Sequence, residues 1–243
     1  MKIMLEHYWK SWELTAPGFE DAHKYIRTIT HDAPSATVIW KTRHKQVVTV
    51  EIPEEIKVED VQNRNVVWKD YYEKRFFRYL FRPSLAYREW KNYVLVESLG
   101  IPVAKPLAIG EYRKGLRLTR SYILTRRVMN CNDGRVFYPS SERNSDRKSA
   151  MEFAEQNMRY LGILHRCGYT HGGFHPRNEL FHENNGKLEV IWIDLATIRK
   201  PRPWEVAERR ATDLREFCDP LQFSAEEKER LMQIYKETLA EQQ

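Results

Sequence analysis

Two short runs, HGGFHPRNELF (residues 171–181) and VIWIDLA (residues 190–196), constrain the fold of this chain more tightly than any other part of it. The segment between them has apolar stretches on both sides of Asn184, Asn185 and Gly186, and Asn followed by Gly is the strongest short signal for a β-hairpin turn. Asn178 lies eight residues before Gly186, and Asp194 eight residues after it. Folding the ribbon at that turn brings an amide and a carboxylate to the same open end. A hard divalent cation such as Mg²⁺ takes oxygen ligands in a near-octahedral shell, one or two from protein and the rest from phosphates and water. One Asn and one Asp meet that need. Taken singly, Asn178 reads as a turn cap and Asp194 as the end of a strand; their paired spacing, with His171 in front, favours a site.

The first run also has the outline of a catalytic loop. In kinase-like phosphotransferases it reads H-x-D-x-x-x-x-N, where the Asp accepts the substrate hydroxyl proton and the Asn holds magnesium. Here Gly173 stands at the Asp position, Asn178 keeps the five-residue spacing, and Asp194 stands where a second metal-binding carboxylate belongs. Upstream, VIWKTRHKQVVTVEI (residues 38–52) holds two β-rich stretches around a basic turn, and NVVWKDY (residues 65–71) gives another strand. Lys69 lies in that strand. Glu89 follows twenty residues later in a helical segment, with Ser84 as its N-cap and Gly100 as its stop. In a kinase such a Lys binds the α/β-phosphates of ATP and the helix Glu holds its ammonium in place. Glu73 and Glu97 compete for the partner's role. No G-x-G-x-x-G occurs between Val38 and Ile52, so Lys41, Arg43 and Lys45 are the groups left to cover a nucleotide. Further on, RSYILTRRV (residues 120–128) reads as the last strand before the connection to a second lobe. Apolar residues at helical spacing from Ser149 to Cys167, closed by Gly168, form the helix that feeds the loop.

Composition excludes several other classes. With 42% hydrophobic and 12% aromatic residues in 243, the chain has the means to bury a core and is neither disordered nor repetitive. No run approaches the roughly 18 apolar residues of a membrane span, and MKIMLEHYWKSWE lacks the apolar core of a signal peptide, so a cytoplasmic protein is expected. Cys131, Cys167 and Cys218 form no C-x-x-C pair and suggest neither a disulfide framework nor a zinc site. The net charge of +6 implies anionic partners. Residues 113–127 hold six basic and no acidic residues. Nucleic acid ranks below a phosphorylated lipid surface, because no nucleic-acid module is recognisable and Phe76, Phe77, Tyr79 and Phe81 read as core beneath the Glu89 helix.

Together, VVWKDYY, AYREWKNYVLVESLGIPVAKPLAIGE, SYILTRRV, HGGFHPRNELF and VIWIDLATIR, with ATDLREF as a weaker tail element, resemble the bacterial lipopolysaccharide kinases. That family includes heptose and Kdo kinases and related stress-induced members, and the resemblance runs from about Val66 to Tyr235. It implies an α+β, compact two-lobed protein-kinase-like fold, with a β-sheet N-lobe over residues 1–127 and a mainly helical C-lobe over residues 128–243. It implies ATP and Mg²⁺ as cofactors and, as partner, the lipopolysaccharide core glycolipid at the cytoplasmic face of the inner membrane. By position, Lys69 and Glu89 would serve the nucleotide, His171 the catalytic loop, and Asn178 and Asp194 the metal.

Gly173 cannot serve as the base. General-base help contributes about 10²- to 10⁴-fold, whereas phosphoryl transfer rests mainly on positioning and electrostatics. His175, in the same loop, could accept the proton as a catalytic residue if its imidazole is neutral, or simply pack or hydrogen-bond within the loop. Asp213 could reach in from the tail, or simply cap the helix of DLREF. Three readings follow: a sugar kinase, a pseudokinase that binds nucleotide or a partner without transfer, and a basic polyanion- or membrane-binding adaptor. The last segment carries a Ser224/Glu227 capping box, with Leu231, Ile234 and Tyr235 turned to the core.

Overall fold

The structure is a computed structural model that describes residues 11–29, 34–58, 63–72, 79, 82–140, 146–184 and 187–241. It has the α+β class expected from the sequence, with an antiparallel sheet unit and a mainly helical unit. The first unit holds the chain up to Val94 together with Ala104–Met129; the second holds Leu95–Val103 together with the chain from Asn130.

In the first unit six antiparallel strands lie in the order β1-β5-β6-β4-β3-β2. They are β1 (Trp12–Thr15), β2 (Ala36–Lys41), β3 (Lys45–Glu51), β4 (Asn65–Tyr72), β5 (Pro106–Lys114) and β6 (Arg117–Arg126). The β2–β3 turn is closed without glycine. Thr42 N–H donates to the Lys45 carbonyl at 2.7 Å, and the Thr42 hydroxyl accepts from the amides of His44 and Lys45. Strand alternation then sorts the side chains. Val48, Val50, Val66 and Trp68 face helix α1 (Glu20–Thr28), whose Ala22 and Ile26 are buried in the same cluster. Lys69 and Tyr71 take the opposite face. Neither β1 nor α1 was anticipated from sequence, because each is short and makes its buried face only against the finished sheet.

Helix α2 (Leu85–Ser98) starts where the Ser84 hydroxyl accepts from Tyr87 N–H at 3.0 Å. It ends at Gly100, whose φ of +76° favours glycine. Both boundaries agree with the sequence reading. Of the aromatic run expected under this helix, Tyr79 is buried, while Phe76, Phe77 and Phe81 lie outside the described residues.

The second unit joins helix α3 (Arg147–Arg166), a small sheet in the order β7-β8-β9 (Asn132–Asp133, Glu179–Asn184, Lys187–Trp192), helix α4 (Val206–Leu221) and helix α5 (Ala225–Ala240). Asp146 caps α3 by accepting from Ser149 N–H. Gly162 sits where a Cβ would come within 2.8 Å of Thr238, so α3 and α5 approach closely there. The Ser224/Glu227 capping box opens α5, with Leu231 and Tyr235 buried and Ile234 half-buried. An aromatic core of Phe137, Phe153, Phe174, Phe181, Trp192 and Phe217 fills the space under the β8–β9 hairpin. Residues Asn185 and Gly186 of the expected turn lie outside the described residues. The register on either side of them, from Glu179↔Trp192 to Asn184↔Lys187, is that of a hairpin closing there.

Candidate active site

Strand β4 and helix α2 place Lys69 against Glu89. Lys69 Nζ donates to Glu89 Oε1 at 2.6 Å, and Tyr71 OH donates to Glu89 Oε2 at 2.6 Å. The Glu89 side chain is wholly buried and that of Lys69 is 9% exposed. A carboxylate taken out of water is costly unless both oxygens find donors. Tyr71, two residues along β4 and therefore on the same face as Lys69, supplies the second one. Of the alternatives, Glu97 is exposed and Glu73 lies outside the described residues. Alternation also separates the basic residues of the β2–β3 hairpin. Lys45 stands over the Tyr71 ring, at 5.5 Å, on the Lys69 face, while Lys41 lines a cavity with Trp68 and Tyr72 on the other. The expectation that Lys41 covers nucleotide beside Lys69 therefore fails on strand periodicity.

In the second unit the hairpin brings its two candidate ligands together as the spacing requires. Ile193 N–H donates to the Asn178 carbonyl at 3.0 Å, which sets Asn178 beside the residue that precedes Asp194. The Asn178 side-chain NH₂ donates to the Gly173 carbonyl at 3.0 Å, leaving Oδ1, the ligand a hard cation would use, outside that bond. Asp194 holds a left-handed backbone, φ 57° and ψ 52°, a conformation that costs an L-residue roughly 1–2 kcal/mol. Strain of this kind persists where surrounding structure over-determines it, and it clusters at functional sites. No three His, Cys, Asp or Glu side chains converge into an all-protein metal cage among the described residues. The donor set of one amide and one carboxylate fits a magnesium ion that keeps phosphate and water ligands.

The loop that precedes Asn178 hangs from helix α4. Asp213 is fully buried, accepting from Gly172 N–H at 2.7 Å and from His171 N–H at 2.8 Å. Its Oδ2 also lies 3.0 Å from His165 Nε2, while His165 Nδ1 lies 2.8 Å from Tyr235 OH. Burial holds the His165 imidazole below its usual range, so the neutral ring donates from Nε2 to Asp213 and accepts the tyrosine proton at Nδ1. Asp213 thus neither reaches in as a base nor caps a helix, the two roles considered from sequence. It lies inside α4 and spends both oxygens on the loop backbone. Gly172 is required here, because its φ is +69° and a Cβ would stand 3.3 Å from the Thr197 carbonyl oxygen. Gly173 is under no such demand, since a Cβ there would meet only Thr197 Oγ1, at 3.2 Å.

His171 has a different job from proton transfer. Its ring is fully buried, 5.3 Å from Phe174 and 5.2 Å from Trp192, with no hydrogen-bond partner at either nitrogen. Desolvation pushes its pKa down to about 4. A neutral ring with no polar contact packs the loop against the core and exchanges no proton with a substrate. His175 is half-buried instead, with Nε2 3.8 Å from Glu216 Oε2.

Sequence reading passed over Glu179. It follows Asn178, pairs across the hairpin with Trp192, and is completely buried with neither oxygen bonded. Burial raises its pKa well above the ordinary carboxylate value, which favours the protonated acid. The available signal was an acid at the inward-facing position two residues before Phe181, on a strand whose alternation is otherwise apolar inside.

Residues 39–235 match the lipopolysaccharide kinase (Kdo/WaaP) family, which is most of the chain. The chain belongs to this family. Among solved structures, that of WaaP in complex with acyl carrier protein matches with a TM-score of 0.66, at 16% identity over 93% of this chain and 89% of that one. At that identity the likeness shows the fold. No curated protein matches the chain in sequence. Membership of the lipopolysaccharide kinase family supports a kinase acting on the lipopolysaccharide core. It also accounts for the order of landmarks in the chain, from the strand Lys through the helix Glu to the loop and the hairpin Asp.

Proposed function

We propose that this chain is an ATP- and Mg²⁺-dependent kinase that phosphorylates a sugar hydroxyl, of heptose or Kdo, in the lipopolysaccharide inner core. It works at the cytoplasmic face of the inner membrane. The observation that carries the reading is the buried Lys69–Glu89–Tyr71 set. Two desolvated charges and a phenol are an expensive arrangement to bury on an interior strand, and their use is to hold an ammonium ready for nucleotide phosphates. The other residues of this reading belong to the second unit, Leu95–Val103 with the chain from Asn130. Asn178 Oδ1 and the Asp194 carboxylate would hold the magnesium, whose chemistry is to neutralise charge developing on the phosphates. Asp213 fixes the loop, and His171 packs it. His175, with Nε2 3.8 Å from Glu216 Oε2, takes the hydroxyl proton in place of the missing Asp. None of the described helices is long and apolar enough to cross a bilayer, and the net charge of +6 favours an anionic surface.

The second reading, a pseudokinase, is favoured by Gly173 itself. One set of assays separates the two: magnesium-dependent transfer from ATP to core oligosaccharide by the native chain, His175→Ala and Gly173→Asp. Native transfer that falls by about 10²-fold in His175→Ala supports the kinase. Nucleotide-induced thermal stabilisation without product in the native chain, with transfer appearing in Gly173→Asp, supports the pseudokinase. A Cβ at Gly173 meets only the Thr197 hydroxyl, at 3.2 Å, and a small movement of that side chain lets the variant fold.

A further inference from the structure

On the α1 face of the first unit's sheet, opposite Lys69, lies a cavity of about 340 Å³ that the kinase reading does not use. Its walls include Arg27, Lys41 and Arg120 as cations, and Trp68, Tyr72 and Tyr112 as rings. We propose that this cavity is a binding site for a phosphorylated monosaccharide unit, separate from the nucleotide site. The proposal does not depend on phosphoryl transfer, since every residue in it belongs to one face of one unit.

Arg120 is held in place before any ligand arrives. Its guanidinium lies 5.5 Å from the Trp68 ring and 5.4 Å from the Tyr112 ring, and Asp70 grips it through Nε at 2.8 Å and Nη2 at 2.8 Å. A third of the side chain still reaches solvent. An arginine stacked between rings and clamped by a buried carboxylate is already ordered, so a phosphate that meets its open edge finds little entropy left to remove. Arg27 is paired with Glu13 at 2.7 Å and is half exposed. Lys41 is exposed and makes no ion pair among the described residues. Among the described residues Asp70 is committed to Arg120 and Tyr72, and Glu13 to Arg27, Tyr112 and Tyr122. The walls keep an excess of positive charge.

The phenols point to a sugar rather than a bare anion. Tyr112 donates to Glu13 at 2.7 Å, which spends its hydroxyl proton and leaves an oxygen that accepts, while Tyr72 donates to Asp70 at 2.9 Å. Burial and Asp70 push the Tyr72 phenol up to about 12, so it stays neutral. Acceptor oxygens suit sugar hydroxyls, flat ring faces suit sugar C–H groups, and the cations suit a phosphate ester. A cavity of this volume is at the small end of ligand pockets and matches a single phosphorylated ring.

The test uses the full chain and isothermal titration with glucose 6-phosphate, glucose and inorganic phosphate. Glucose 6-phosphate is expected to bind saturably and at least about tenfold more tightly than the other two, the worth of one charge-assisted contact. Lys41→Ala and Arg27→Ala, both at exposed positions, each weaken it by roughly fivefold or more while leaving the melting temperature in place. Lys69→Met leaves it unchanged, and MgATP does not displace it. A phosphorylated glycolipid in detergent micelles that binds more tightly than the free sugar phosphate marks a lipid headgroup as the source; equal affinity marks the free sugar. The proposal is overturned by absence of saturable binding, by binding that ignores Lys41→Ala and Arg27→Ala, or by displacement with MgATP. Failure there leaves the kinase reading standing, because that reading rests on Lys69, Asn178 and Asp194.

Discussion

Replacing His171 with Leu should make this protein less sensitive to acid. In the native chain the ring is fully buried between Phe174 and Trp192, with no partner for a second proton, and its pKa falls from the ordinary 6.5 to about 4. A histidine depressed in this way protonates first in the unfolded chain. Its contribution is thus fully present above pH 6.5 and is lost as pH falls from there toward 4. Each tenfold gap in proton affinity is worth about 1.4 kcal/mol, so the loss reaches about 3 kcal/mol by pH 4. Such a loss is a large share of the 5–15 kcal/mol that stabilises an ordinary domain. His165 and His23 are also depressed by burial and act in the same direction, whereas Glu179 acts in the opposite one. The difference between native and variant isolates His171. Urea unfolding at steps from pH 7 to pH 4 should show the native curve falling about 3 kcal/mol further than that of His171→Leu. Parallel curves would refute the reasoning, because they would mean that the folded ring takes up its proton as readily as a free one. His171 would then return as a candidate for proton transfer.

Three further outcomes follow from the same loop and its supports. Asp213→Asn turns an NH₂ toward one of the two amides, that of His171 or that of Gly172, and should cost roughly 2–3 kcal/mol in denaturant unfolding while weakening nucleotide-induced stabilisation. Gly172→Ala, forced into a φ of +69°, should lower stability by about 1–2 kcal/mol, whereas Gly173→Ala should stay close to native. The carboxyl of Glu179 has its pKa raised by burial, so its contribution is whole below the ordinary 4.5 and shrinks as pH rises toward the folded value. Glu179→Gln should flatten that decline in melts collected from pH 4.5 to 7.

Much of the candidate site was legible in one dimension because its spacings are set by regular elements. The hairpin forces Asn178 and Asp194 together once a turn lies midway between them. Similarly, β4 and α2 each carry one charged residue on an inward face, and Lys69 and Glu89 find one another when those faces meet. Other residues carry no local mark. Tyr71 reads as one more strand aromatic until Glu89 is seen to need a second donor. Asp213 sits in a polar helix segment, and only the packing of α4 behind the loop gives it two backbone amides. His171 looks like a catalytic imidazole in any motif comparison, yet its neighbours Phe174 and Trp192 make it core.

The sequence by itself determined most of the elements, their order and which residues stand as candidate ligands, because strand alternation, helix capping and turn chemistry act over a few residues. Only the tertiary structure decided which charges are buried and which acid burial holds back from ionising. Those properties depend on desolvation and on distances between groups far apart in the chain, and no local pattern encodes them.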